Sequence, residues 1–225
     1  LLPNRQRKYD YIIATRRAPR WVYFNQPGAY GRGGRRRMVD RPWLRSYDPG
    51  VPHHIDIPEV GLPAFLEASA RRWPRRASLI WRGGRMTYQR LNRLSSQLAA
   101  GLLELGIEVG DPIAVLMPNL PAFVLSFYGI LKAGGAVAAL NPLYTLPELV
   151  RQVRLVGARA LLTTSGLEAR ARAVQAETQI PTLWVSREAA YLPVDRRGTI
   201  RVGAGGGGTP GVHSQELEAV IESHP

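Results

Sequence analysis

The chain has 225 residues, no cysteine, and 30 Lys+Arg against 17 Asp+Glu, a formal net charge of +13. Absent cysteine excludes disulfides, thiolate metal sites, iron–sulfur clusters and a thiol nucleophile, and a hydrophobic content of 45% excludes wholesale disorder. The length allows one large domain or two small ones, and the lack of cysteine fits a reducing compartment, so the expected location is the cytoplasm.

The basic excess lies at the front. Residues 1–47 hold 12 Lys+Arg and 2 Asp+Glu, whereas residues 48–225 hold 18 and 15. Only Lys8 and Lys132 are lysine. Residues 1–40 read as a disordered basic tail, because the Gly/Arg run at 31–37 offers too little apolar surface to offset ordering entropy. Trp21, Tyr23, Phe24 and Tyr30 interleave with arginine there, a mix that can grip RNA by stacking and phosphate contact. A solvated tail is the preferred reading over a nucleic-acid partner. No apolar stretch followed by a small-residue cleavage site is legible.

Residues 41–190 read as an α/β body. Leu62, Phe65, Leu66, Ala70 and Trp73 recur at helical spacing. Ser78–Trp81 and Arg85–Tyr88 flank Arg82-Gly83-Gly84, which reads as a hairpin. Leu91, Leu94, Leu98, Leu102 and Leu105 form the stripe of a long amphipathic helix, stopped by Gly106. Ile113–Met117, bounded by Pro112 and Pro118, reads as a strand buried on both faces. Asn119 is placed to cap a helix bearing Phe123, Val124, Phe127, Ile130 and Leu131.

Gly134-Gly135 then leads into a strand at Ala136–Leu140. The apolar stretch 120–140 is therefore helix, turn and strand, with Lys132 inside it, rather than a membrane span. Thr145-Leu146-Pro147-Glu148 has capping-box spacing for a helix carrying Leu149, Val150, Val153 and Val156, ended by Gly157. A strand at Ala160–Thr164, a helix at Leu167–Ala176 and a strand at Thr182–Val185 complete the alternation. Strand, helix, strand implies a right-handed crossover and a partial doubly wound parallel sheet with flanking helices.

Residues 191–211 read as a Gly-rich linker, and residues 212–225 as a short terminal helix bearing Leu217, Val220 and Ile221, capped by Ser214 and standing apart from the body. Catalytic groups are sparse. His53 and His54 are adjacent loop residues, and His213 and His224 have no evident carboxylate partner. No metal ligand and no catalytic residue is assigned. Gly206, Gly207, Gly208 and Thr209 are the only candidates for nucleotide phosphate binding, by backbone N–H groups and one hydroxyl. No lysine accompanies them, so a flexible linker is the preferred reading.

Several segments resemble a known family. Pro42-Trp43-Leu44, Tyr47-Asp48-Pro49-Gly50-Val51-Pro52 and Ile55-Asp56-Ile57-Pro58 resemble the lead-in of long-chain fatty acid–CoA ligases. Gly84-Arg85-Met86-Thr87-Tyr88 is similar to the first core motif of the adenylate-forming (AMP-binding) superfamily, although Arg90 stands where an acidic residue is common. Gly110-Asp111 through Pro118-Asn119, Leu131–Val137 with its Lys132, and Asn141-Pro142-Leu143-Tyr144-Thr145 with Glu148-Leu149 resemble further family segments. Residues 211–221 with Ser223-His224-Pro225 are similar to the start of that family's small C-terminal domain, and residues 195–201 to a worn hinge.

The resemblance implies fatty acid, ATP and CoA as substrates, Mg²⁺ as the metal, and acyl-adenylation followed by thioester formation. It also implies association at the periphery of a membrane. The family's phosphate loop ending in Lys, its Tyr-x-Thr-Gly-Asp string, its Thr-Glu pair for Mg²⁺ and its C-terminal-domain Lys are not legible here. Lys132 belongs to a chiefly structural motif. The resemblance therefore implies a truncated or internally deleted ligase whose chain alone is inactive, because the electrostatic stabilisation of the reacting phosphorus is gone. The alternatives are a non-enzymatic remnant whose exposed sheet is covered by a protein partner, and RNA binding through the basic tail.

Overall fold

A computed structural model of the chain describes residues 42–55, 57–192 and 213–224. The expectations for the basic tail, for the linker and for Gly206, Gly207, Gly208 and Thr209 lie outside the described residues. The chain divides into two compact units, Leu1–Val60 and Gly61–Pro225. In the first, a 3₁₀ helix spans Pro42–Ser46 and the rings of Tyr47 and His53 meet edge-on at 5.8 Å.

The second unit opens with helix α1 (Leu62–Arg72), the hairpin strands β1 (Ala77–Trp81) and β2 (Gly84–Thr87), and helix α2 (Tyr88–Glu104). The hairpin turns on Arg82 (φ 46) and Gly83 (φ 83), the two successive positive φ values that a two-residue turn needs to match strand twist. Thr87 ends β2 and caps α2, its Oγ1 accepting from the Arg90 N–H at 3.2 Å.

Five parallel strands follow: β3 (Pro112–Leu116), β4 (Ala136–Leu140), β5 (Ala160–Thr164), β6 (Thr182–Ser186) and β7 (His213–Glu216). Their order is β4-β3-β5-β6-β7. The connections are helices α3 (Pro121–Lys132), α4 (Leu146–Val156) and α5 (Glu168–Thr178), and α6 (Leu217–Glu222) closes the chain. The order reverses between β3 and β5, as in a doubly wound sheet.

Two apolar layers flank the sheet. On one face Ile113, Val115, Leu162 and Trp184 pack with Leu98 and Leu102 of α2, Leu125 and Ile130 of α3, and Leu217 and Ile221 of α6. On the other, Ala114, Leu116, Leu161 and Leu183 pack with Leu149 and Val153 of α4 and Val174 of α5. Strand alternation assigns these faces. Helices α2 and α3 cross where Gly129 faces Leu98, and a Cβ on Gly129 would lie 2.6–3.0 Å from that leucine.

Three local expectations are corrected. Helix α3 is capped by Leu120 with Pro121 in its first turn, not by Asn119; the fixed φ of proline starts the helix one residue later than a side-chain cap would. Leu105 is not part of the buried stripe of α2 but its exposed C-cap. Ser214 lies inside β7, and the residue that precedes α6 is Glu216. His213-Ser214-Gln215-Glu216 has no apolar alternation, so its strand arises from pairing with β6 and not from local pattern. The terminal helix likewise does not stand apart. Leu217, Val220 and Ile221 are buried in the same layer as Trp184, and α6 approaches α2 at Gly101, where an added Cβ would meet Val220 at 2.5 Å.

Candidate functional site

In a doubly wound parallel sheet, ligands bind outside the carboxyl ends of the strands near the reversal of strand order. Here that edge carries Pro118-Asn119 after β3, Thr164-Ser165-Gly166 after β5 and Ser186-Arg187 after β6. Thr164 and Ser186 are register partners at the end of the β5–β6 pair. Both continue the face that carries Leu162 and Trp184.

Glu218 of α6 gathers three donors at this edge. The Ser186 hydroxyl donates to its Oε1 at 2.7 Å, the Tyr191 hydroxyl to the same oxygen at 3.1 Å, and the Arg187 N–H to its Oε2 at 3.1 Å. Arg187 also pairs through its guanidinium with Glu216. Burial above all, and the Glu218 charge beside it, push the Tyr191 phenol well above its ordinary range, so it stays a donor. The carboxylate is an acceptor with its donors already in place, so the cluster ties α6 to the sheet and is not an acid–base pair. Thr164 Oγ1 is buried beside it and has no hydrogen-bond partner among the described residues; the same holds for Ser126 Oγ of α3.

Next to the cluster lies a cleft of about 360 Å³, lined by Leu79, Trp81, Arg85, Met86, Arg90 and Tyr191 among others. Arg90 and Tyr191 also border a second cleft of about 370 Å³ that contains Glu218 and Glu222.

The segments singled out in the sequence form local structural devices. Residues 84–88 are β2 and the start of α2. Asp111, ahead of β3, accepts from the Glu108 N–H at 2.9 Å and pairs with Arg159 at 3.8 Å. Asn141 Oδ1 accepts from the Leu143 N–H at 3.0 Å. Glu148 Oε2 accepts from both the N–H and the hydroxyl of Thr145 at 2.8 Å, and those hydrogen bonds hold its carboxyl below the usual carboxylate range. Lys132, at the end of α3, donates to Asn92 and Ser96 of α2. Burial pulls its pKa down, against the opposing charge of Glu67.

The histidines split. His53 and His54 are exposed. His224 is corrected: its Nε2 lies 2.8 Å from Glu104 Oε2, a carboxylate 120 positions earlier that the sequence does not single out. Its Nδ1 lies 2.7 Å from the Val220 carbonyl. Those two contacts, the carbonyl first, raise its pKa.

Among the described residues no three His, Asp or Glu side chains are grouped to hold a metal, and Lys132 is committed to α2. Nor is any described helix long and apolar enough to cross a membrane. The Glu218–Ser186–Tyr191 cluster was not legible beforehand, since its members lie up to 32 positions apart and no motif links them.

Residues 66–200 match the family of AMP-binding enzymes. The chain is 33% identical over 153 residues to the long-chain-fatty-acid–CoA ligase of Bacillus subtilis (strain 168), covering 68% of this chain and 27% of that protein. It is 32% identical over 164 residues to the Salmonella typhimurium enzyme of the same name, covering 72% and 29%. The chain thus spans less than a third of the length of these relatives. Among solved structures, the anthranilate CoA ligase AuaEII in complex with anthranoyl-AMP shares the fold with a TM-score of 0.60 at 20% identity, over 76% of this chain and 29% of that one. A benzoate CoA ligase from Burkholderia xenovorans LB400 does so with a TM-score of 0.57 at 18% identity, over 73% and 29%.

Proposed function

Because this chain belongs to the AMP-binding enzyme family, we propose that it is the leading α/β portion of a long-chain fatty acid–CoA ligase, and that it is inactive by itself. The intact enzyme would join a fatty acid to ATP as an acyl-adenylate, releasing pyrophosphate, and then transfer the acyl group to CoA. The observation that carries this reading is 33% identity to a long-chain-fatty-acid–CoA ligase across 153 residues, 68% of this chain. ATP, Mg²⁺ and CoA are then requirements of the whole enzyme. The cytoplasm and the membrane periphery are its proposed location. Residues 212–225 are proposed as the start of the small C-terminal domain, here folded back as β7 and α6.

Inactivity of the chain alone has a physical basis. Adenylation develops charge on phosphorus beside a leaving pyrophosphate and needs aligned cations and N–H donors. Removing a single such donor costs about 2.7–4 kcal/mol in well-studied cases. Incubation of the pure 225-residue protein with radiolabelled palmitate, ATP, Mg²⁺ and CoA is expected to give no palmitoyl-CoA. A clear rate of formation would overturn the reading.

A further inference from the structure

The β1–β2 hairpin leaves one large apolar side chain uncovered. Ile80, at the end of a strand, is 72% exposed. It borders a shallow apolar groove of about 330 Å³, lined with Trp81, Asn119, Leu120, Pro121, Phe123 and Val124. Trp81 and Pro121 are shared with the 360 Å³ cleft that contains Arg85 and Arg90. The two depressions adjoin at Trp81 and Pro121, and the path across both runs from apolar Phe123 to cationic Arg90.

The charge along this path has one sign. Among the described residues no Asp or Glu lines either depression. The side chains of Arg85 and Arg90 make no ion pair or hydrogen bond among the described residues. Arg90 also faces the neighbouring cleft with Glu218 and Glu222, but its guanidinium is not within ion-pairing distance of either. The Glu218 oxygens are engaged by Ser186, Tyr191 and Arg187.

We propose that this path binds an amphiphile with a phosphate monoester head, the head between Arg85 and Arg90 and the apolar chain across Trp81 and Pro121 onto Ile80, Phe123 and Val124. One carboxylate is satisfied by a single guanidinium fork. A phosphate monoester carries up to two charges and three acceptor oxygens, and so uses both arginines. The cleft volume falls in the range of small-ligand clefts, about 300–1,000 Å³. Its concavity suits one molecule and not a bilayer surface. This assignment does not depend on the ligase reading, because it uses no nucleotide and no catalytic step.

Octyl phosphate is the probe, with binding to the full chain followed by Trp fluorescence and calorimetry. Octyl phosphate is expected to bind at least tenfold more tightly than octanoate or inorganic phosphate, and octylammonium is expected not to bind. R85Q and R90Q should each weaken it about tenfold, and I80D should weaken it comparably. All three positions are exposed or on the hairpin surface, so the unfolding midpoint without ligand verifies folding. Octanoate binding as tightly as octyl phosphate, unchanged affinity in both arginine variants, or binding to anionic vesicles without binding of monomeric octyl phosphate would each overturn the proposal.

Discussion

Lys132 donates to both oxygens of Asn92: its Nζ lies 2.7 Å from the side-chain Oδ1 and 3.0 Å from the main-chain carbonyl. A third hydrogen bond reaches Ser96 Oγ at 2.8 Å. The ammonium thus has three acceptors on α2 and binds the end of α3 to it. K132M keeps much of the stem packing and removes the donors. It is expected to cost about 1 kcal/mol, below the roughly 1.5–3 kcal/mol of a charged hydrogen bond, because the group is half-exposed and partly screened. Urea unfolding measures this as a lower midpoint with an unchanged slope.

The crossing of α2 and α3 sets a second expectation. Alanine at Gly129 gains helix propensity of up to about 1 kcal/mol, but its Cβ would sit 2.6–3.0 Å from Cδ2, Cγ and Cβ of Leu98. Because the contact includes the Leu98 Cβ, a rotamer change alone does not relieve it. Overpacking costs about 1–3 kcal/mol, so G129A is expected to be net destabilising. L98A should partly rescue G129A in the double variant, giving a non-additive cycle; strictly additive losses would contradict the crossing geometry.

His224 and Glu104 make the docking of α6 depend on pH. The folded pKa of His224 is raised by the Val220 carbonyl and by Glu104. Protonation therefore favours the docked state. The contribution is complete below the unfolded value of about 6.5 and is lost as pH rises through the folded value. Hydrogen exchange of the α6 amides should speed up, relative to those of α3, between pH 5.5 and pH 8.5. E104Q should remove part of that pH dependence, the Val220 carbonyl keeping the rest, and an unchanged dependence would show that the pair does not act.

Tyr191 and Glu218 give a spectroscopic expectation. Burial and the neighbouring carboxylate hold the phenol protonated far into the alkaline range. Tyr191 should therefore fail to ionise before alkaline unfolding in a tyrosinate absorbance titration. E218Q removes the negative charge, and one additional tyrosine should then titrate earlier.

The buried hydroxyl of Thr164 has no hydrogen-bond partner among the described residues. An unpaired buried hydroxyl costs about 1–3 kcal/mol, and valine has nearly the same shape without it. T164V is expected to leave thermal stability unchanged or to raise it. A clear loss would show that Thr164 has a partner.

The β3–α3–β4–α4–β5 core was legible in the sequence for a physical reason. Strands buried on both faces must be continuous apolar runs, and Pro112, Pro118, Gly134-Gly135 and Gly157 punctuate them. The segments spelled most specifically, such as Thr145–Glu148, proved to be caps and turns, where hydrogen-bond geometry dictates residue type. What stayed hidden was long-range. Strand β7 is polar along its whole length and forms only because β6 offers an edge. The carboxylate of Glu104 meets His224 across 120 positions. Only the fold sets Arg85 and Arg90 beside Trp81 in one cleft.

The proposed function makes this α/β segment the counterpart of the segment it matches in long-chain fatty acid–CoA ligases. A chimera tests that most directly: the Bacillus subtilis ligase with its matching segment replaced by this chain's 153 aligned residues. The soluble, folded chimera is expected to form long-chain acyl-CoA from fatty acid, ATP, Mg²⁺ and CoA. A folded chimera that forms none would contradict the claim.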